Sequence, residues 1–297
     1  MIRSRRGMEP CFKNAIECPL QVNNFRPPSK MHHNDYVLAT GEQAAERLLL
    51  LDQIFGPSTQ DLLKTAGLAP GMHVAEIGCG SGLVAAWMAK MFGAAVTAVD
   101  ASDEQLQVAA KSAAAAGLKT VAFRVGNAYD TGLPRASFDL VYSRFLMCHL
   151  AEPLKALIEQ RALLKPAGTL VCEDHDIGGI FTEPPSRAYK RLVEISNVVD
   201  RSRGLDPYIG LKLPRLFQEA GFKKPGSQVK QITVLRGDAK RFWEMTLREA
   251  ASAILATGAS SQGELDSICA EMRAIADDPS VVLMLARVTQ VWARKGD

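Results

Sequence analysis

The sequence predicts an α/β chain built on a largely parallel sheet, and three observations carry that prediction. An apolar run at residues 74–77 passes through Glu76 into three alternating glycines, Gly78, Gly80 and Gly82. A second apolar run, 94–99, ends in Asp100, about 20 residues beyond the glycines. From there, apolar runs alternate with stretches of helical periodicity, the order of a strand–helix–strand repeat.

Each element follows from local chemistry. Glycines at 78, 80 and 82 lack Cβ atoms, so the turn is tight and the main chain can approach a nucleotide-like ligand as it enters a helix at 83–92. A dinucleotide fingerprint would place its third glycine where Leu83 stands, and a phosphate loop would need a Gly-Lys-Ser/Thr ending that is absent. Ser102 caps a helix with Gln105 three residues on, and Gly117 closes it. Residues 121–125 read as a third strand leading into Gly126, Asn127 and Ala128. Residues 137–142 read as a fourth strand running into Ser143, Arg144 and Phe145, with His149, Leu150 and Pro153 opening the next helix. Residues 163–168 read as a turn before a fifth strand at 169–173. Beyond it, helices are expected at 186–202, 211–220, 239–257 and 264–277, and two strands at 229–236 and 281–293.

The Gly-x-Gly-x-Gly spacing after Glu76, taken with Asp100, Gly126–Ala128 and the 137–145 and 163–168 segments, resembles the class I S-adenosylmethionine-dependent methyltransferases. The likeness covers roughly residues 70–176 and is nearest to the small-molecule branch, the ubiquinone/menaquinone type and the natural-product enzymes. It implies a doubly wound, seven-stranded, Rossmann-like sheet whose last strand inserts antiparallel. It also implies S-adenosyl-L-methionine as cofactor, with S-adenosyl-L-homocysteine as product. By that resemblance Glu76, Gly78, Gly80 and Gly82 form the cofactor loop, Asp100 takes the ribose hydroxyls with Ala101 and Gln105 beside it, and Asn127 and Ala128 hold the adenine. The family usually carries Asp where Asn127 stands; an amide oxygen can still accept from the exocyclic amine. Arg144 and Phe145 begin the active-site loop. A helical lid over 31–66 covers the methionine end, with Tyr36, Arg47 and Gln53 facing inward. The methyltransferase domain is expected over 67–297, with substrate-covering insertions at about 178–210 and 238–278.

The chemistry required is modest, because a sulfonium is already activated: the protein positions the acceptor and excludes water. A hydroxyl or carbon acid needs a base; a free amine needs only orientation and desolvation. The candidates lie where the strands' carboxyl ends open: His149, His175 and Tyr208, with Glu173, Asp174 and Asp176 around them. Neighbours on a strand point opposite ways, so Asp174 and Asp176 share one face and Glu173 and His175 the other.

Composition narrows the partners. Of 297 residues, 35 are basic and 32 acidic, a formal charge of +3, too balanced to argue for nucleic acid. No apolar stretch approaches the roughly 20 residues of a membrane span. Ser143-Arg144-Phe145-Leu146 stands where enzymes acting on base amines carry Asn/Asp-Pro-Pro-Tyr/Phe, which leaves a small-molecule acceptor as the expected partner. A homodimer is compatible with the sequence. The six cysteines are irregularly spaced, as for reduced packing residues in a cytoplasmic protein.

Residues 1–30 lack periodicity and the apolar core of a signal peptide, and read as a flexible tail; Arg3, Arg5 and Arg6 leave a transit segment open. No metal is expected, since Cys11, Cys18, His32 and His33 match no ligand spacing. Thr40 is expected to cap the lid helix, with Gln43 at the capping-box position. Two other readings remain: a non-catalytic S-adenosylmethionine-binding regulator, and a nucleotide-dependent oxidoreductase, which the glycine spacing opposes.

Overall fold

The computed structural model describes residues 38–296. The expected tail at 1–30, Tyr36, and Cys11, Cys18, His32 and His33 lie outside the described residues.

After a 3-10 turn at Gly41–Ala44 the chain forms α1 (Ala45–Thr65), β1 (His73–Ile77), α2 (Leu83–Phe92), β2 (Ala95–Asp100), α3 (Asp103–Ala115) and β3 (Val121–Val125). It continues through β4 (Phe138–Arg144), α4 (Pro153–Leu163), β5 (Leu164–Asp176), β6 (Phe181–Glu183), α5 (Arg187–Ser202) and α6 (Ile209–Glu219). Then come β7 (Gly226–Lys230), β8 (Thr233–Val234), α7 (Phe242–Glu249), α8 (Ala251–Ala256), α9 (Gln262–Asp277), β9 (Val282–Met284) and β10 (Arg287–Arg294).

The main sheet has seven strands in the order β3-β2-β1-β4-β5-β10-β7. Strands β1 to β5 pair in parallel, and β10 inserts antiparallel between β5 and β7. Strand order reverses between β1 and β4, which opens a crevice at the carboxyl ends of the strands there. Helices cover both faces because the central strands are buried on both, as the near-continuous burial of β4 and β5 shows.

The helix within the 31–66 segment runs to Thr65 and joins the core: Leu50 and Phe55 enter one core cluster, and Leu62 and Leu63 enter another with Val74, Met88 and Val96. Several other expectations are corrected. Thr40 makes no cap hydrogen bond; its hydroxyl donates to Glu104 of α3 at 2.7 Å, because the helix opens through a 3-10 turn. The segment 163–168 is not a turn between elements but an excursion within β5. There, Leu164 pairs with Phe138 and Thr169 with Leu140, so three extra residues are accommodated, with Ala167 at φ 60° and both Ala167 and Gly168 bonded to the Lys295 backbone.

The strand expected at 229–236 is two strands in two sheets, and so is that at 281–293. β8 and β9 join β6 in a separate three-stranded sheet, β6-β9-β8. The crossing is made at Ile232 and Leu285, whose backbones bond at 2.9 Å. The helix expected at 239–257 is likewise a 3-10 turn at Asp238–Arg241 followed by α7 and α8. The small sheet, α5 and α7 to α9 share one core with the first half of α1.

Candidate functional site at the carboxyl edge of the sheet

Gly78, Gly80 and Gly82 all have positive φ, at 75°, 52° and 71°. The loop folds back on β2: Gly78 and Cys79 donate to the Val99 carbonyl, and Gly80 donates to Asp100 Oδ2 at 2.8 Å. Close approach makes Gly82 obligatory, since a Cβ there would lie 2.9 Å from the Phe123 ring and 3.1 Å from Ala109. At Gly80 the nearest atom to a Cβ would be Leu48 at 3.8 Å, so the loop's outer side faces the first turns of α1.

The other Asp100 oxygen accepts from Ser102 at 2.9 Å; burial pushes this carboxyl up, partly offset by the two amides. Glu76 is buried with one oxygen lacking a partner, and burial lifts it to about 8 against the pull of Arg144. Gln105 is buried with its amide oxygen unpartnered as well, while Ala101 beside it is exposed. Asn127 Oδ1 accepts from Tyr129 at 2.8 Å, which shapes the turn after β3, and Ala128 packs against the core beside it.

The residues expected from α1 divide. Arg47 is buried, paired through Nε with Glu249 of α7 at 2.8 Å, and leaves Nη2 buried without a partner. Gln53 does not face inward: it is exposed on another side of the helix. Arg144 is committed to α1, donating to Asp52 at 2.9 Å and Thr59 at 3.2 Å.

Thr59 in turn donates to Glu173, which is fully buried and also accepts from the Tyr142 hydroxyl at 2.5 Å and from Gln290 at 2.6 Å. Glu173 is therefore a structural node rather than an acceptor-side group. Sequence reasoning did not single out Asp52, Thr59, Glu249 or Gln290; the signal available was a polar residue on an otherwise apolar face.

Phe145 follows β4 at φ 50°, a left-handed conformation that a bulky residue adopts only under constraint. Its amide donates to the Glu173 carbonyl, and its ring meets Phe55 edge-on and lies tilted against His175, with centroids 5.9 Å apart. The strained residue thus aims the chain so that 146–149 cross the end of β5.

His149 lies in the 3-10 turn Met147–His149. Burial, then the charges of His175, Arg47 and Arg203, bring it down to about 3, so it stays neutral. His175 Nδ1 is 3.4 Å from Asp174 Oδ1, and Asp174, fully buried, accepts from the backbone of His175 at 2.8 Å and of Cys148 at 3.2 Å. Asp176 pairs with Arg287 at 2.5 Å and accepts from Gly178. The Tyr208 hydroxyl accepts from Asn197 of α5 at 2.7 Å, and its ring lies beside Gly178. His149 and His175 are thus brought within electrostatic reach of each other, with Tyr208 past the end of the same strand.

A family model for a methyltransferase domain matches residues 75–172. The ubiquinone biosynthesis O-methyltransferase of Cereibacter sphaeroides is 38% identical over 102 residues, which are 34% of this chain and 40% of that protein. The chain therefore spans less than half the length of that relative. The demethylmenaquinone methyltransferase of Symbiobacterium thermophilum is 26% identical over 238 residues, covering 69% of this chain and 92% of that one. Among solved structures, the YcgJ protein of Bacillus subtilis has the same fold, with a TM-score of 0.56 at 20% identity over 82% of this chain and 99% of that chain. Residues 75–172 thus match a methyltransferase-domain family, and the chain shares the fold of the YcgJ protein.

Proposed function

We propose that this protein transfers a methyl group from S-adenosyl-L-methionine to a small-molecule acceptor, at oxygen, nitrogen or carbon. The observation that carries the reading is the loop of Gly78, Gly80 and Gly82 tied to Asp100 beneath a crevice where buried Glu76 and Gln105 each keep an unpartnered oxygen. Those atoms fit a ligand bearing hydroxyls and an ammonium, which would complete their hydrogen bonds. When bound, the cofactor supplies an electrophilic methyl on a sulfonium.

The chain's own residues do the rest. Asp100 holds the ribose hydroxyls, Glu76 the ammonium, and Asn127 and Ala128 the adenine. The positive-φ turn at Phe145 carries His149 to the acceptor side, where His175 and Tyr208 join it. A neutral His149 receives a hydrogen bond from an acceptor hydroxyl and orients it, which is the larger part of an in-line displacement. The relatives named for ubiquinone and demethylmenaquinone support phenols and quinols as first acceptors. The buried free cysteines 79, 148, 172 and 269 support a reducing, cytoplasmic setting. No helix among the described residues is long and apolar enough to cross a membrane.

Calorimetric titration with S-adenosylmethionine and S-adenosylhomocysteine, followed by a methyl-transfer screen of phenols, quinols and amines, tests the reading. Saturable binding of both with turnover of an acceptor is expected. Absence of binding by either overturns it.

A further inference from the structure

The turn after β4 crosses the end of β5 and brings Cys148 to the adjacent pair Asp174 and His175, 26 residues further along the chain. Cys148, Asp174 and His175 each present a donor atom, and the three atoms lie within 4.8 Å of one another. We propose that Cys148, Asp174 and His175 form a binding site for a divalent transition-metal ion of the zinc class.

The donor set is the first argument. One thiol, one imidazole and one carboxylate form a mixed soft and borderline set that selects zinc or cobalt over magnesium or calcium, which take oxygen alone. The geometry is the second. Donor atoms around a tetrahedral zinc ion stand about 3.3–3.8 Å apart, from bond lengths of roughly 2.0–2.3 Å. His175 Nδ1 and Asp174 Oδ1 are already 3.4 Å apart. The remaining closure of about 1 Å is available from Cys148, whose Sγ already donates toward the Asp174 carboxylate as well as to the Phe145 carbonyl at 3.4 Å.

The surroundings are the third. Asp174 is anchored by the backbone amides of Cys148 and His175, so it is held in place before any ion arrives. The side chain of His175 is 21% exposed, which gives an ion a route in. Asp200 on α5 is a further donor on this side: its charge reaches both Cys148 and His175, and its carboxylate makes no hydrogen bond or ion pair among the described residues. Coordination forms a metal–sulfur bond, and the thiol proton passes to solvent. The site shares His175 with the acceptor side of the methyl-transfer reading, and its test reads metal binding rather than methyl transfer.

The test is titration of the metal-free full-length protein with Co²⁺, read as thiolate-to-cobalt absorption, with Zn²⁺ as competitor. One equivalent with a thiolate band is expected, displaced by Zn²⁺. Cys148→Ser removes the band, and His175→Ala weakens binding by at least about tenfold. Circular dichroism establishes that each variant is folded; should Cys148→Ser not fold, His175→Ala and Asp200→Asn carry the test through affinity alone. A wild-type protein without the band overturns the proposal. So does a band that survives Cys148→Ser and disappears on replacing Cys11 and Cys18.

Discussion

The Asp100 carboxylate accepts the Gly80 amide at 2.8 Å, so the acid at the tip of β2 holds the glycine loop of β1 in shape. Asp100→Ala should therefore act twice, by removing the ribose partner and by loosening the loop. A charge-assisted bond is worth roughly 1.5–3 kcal/mol, so S-adenosylmethionine affinity should fall at least about tenfold. Calorimetry on the variant checks this, and unchanged affinity would remove Asp100 from the site.

Gly82→Ala should destabilise the fold itself. Left-handed strain at φ 71° costs an alanine about 1–2 kcal/mol, and the overlap with Phe123 and Ala109 about 1–3 more. Urea unfolding is expected to show a loss of about 2–5 kcal/mol.

Glu76 gives a pH signature. Its carboxyl, lifted from 4.5 to about 8 in the folded chain, keeps its proton through neutrality. The folded state therefore binds more protons than the unfolded one between those values. The resulting stability is complete below about 4.5 and is lost as pH rises through 8. Glu76→Gln, a neutral isostere, should match the wild type near about pH 4 and exceed it by several kcal/mol at about pH 9. Unfolding curves that run parallel at both pH values would contradict the assignment.

Lys240 is fully buried, and its ammonium donates to the carbonyls of Ile275, Asp278 and Val281, fastening the end of α9 to the small sheet. Lys240→Met fills the space but orphans those acceptors, and should cost about 3 kcal/mol. Thermal denaturation reads the loss, and a stability equal to wild type would show that water replaces the ammonium.

His149→Ala should leave cofactor affinity intact while lowering kcat at least about tenfold, the low end of what a positioned proton-handling or orienting group contributes. Steady-state kinetics with a saturating acceptor separates kcat from KM. Equal kcat would make His149 a packing residue of its turn.

The cofactor half was legible because its signals are local. The helix 83–92 and strand 121–125 fall where apolar period and glycines place them, and Ser102 caps α3 through the Gln105 amide as its sequence suggests. The small sheet was not legible, since Leu285 and Ala286 carry an apolar run unbroken from β9 into β10, although the chain changes sheets there. Gln231, bonding Gly179 and Leu285, marks that crossing, but nothing distinguishes it in sequence from a surface glutamine. Glu173 and Asp174 show the same limit: period two separates their faces correctly, yet only the fold reveals that one face meets Tyr142 and Gln290 and the other meets Cys148.

The position of β10 has a consequence for biosynthesis. A nascent chain that has made β5 holds an open sheet edge until residues 177–286 have also been synthesised, because the neighbour of β5 is β10. Val288 enters one core cluster and Val291 and Ala293 another, and Gln290 reaches back to the Ser58 carbonyl of α1. Closing such long loops is slow, and the waiting strand β5 is one that the finished fold buries on both faces. Folding in the cell is thus a race between completing β10 and pairing that edge with a neighbouring chain, a race in which chaperones and growth temperature set the yield.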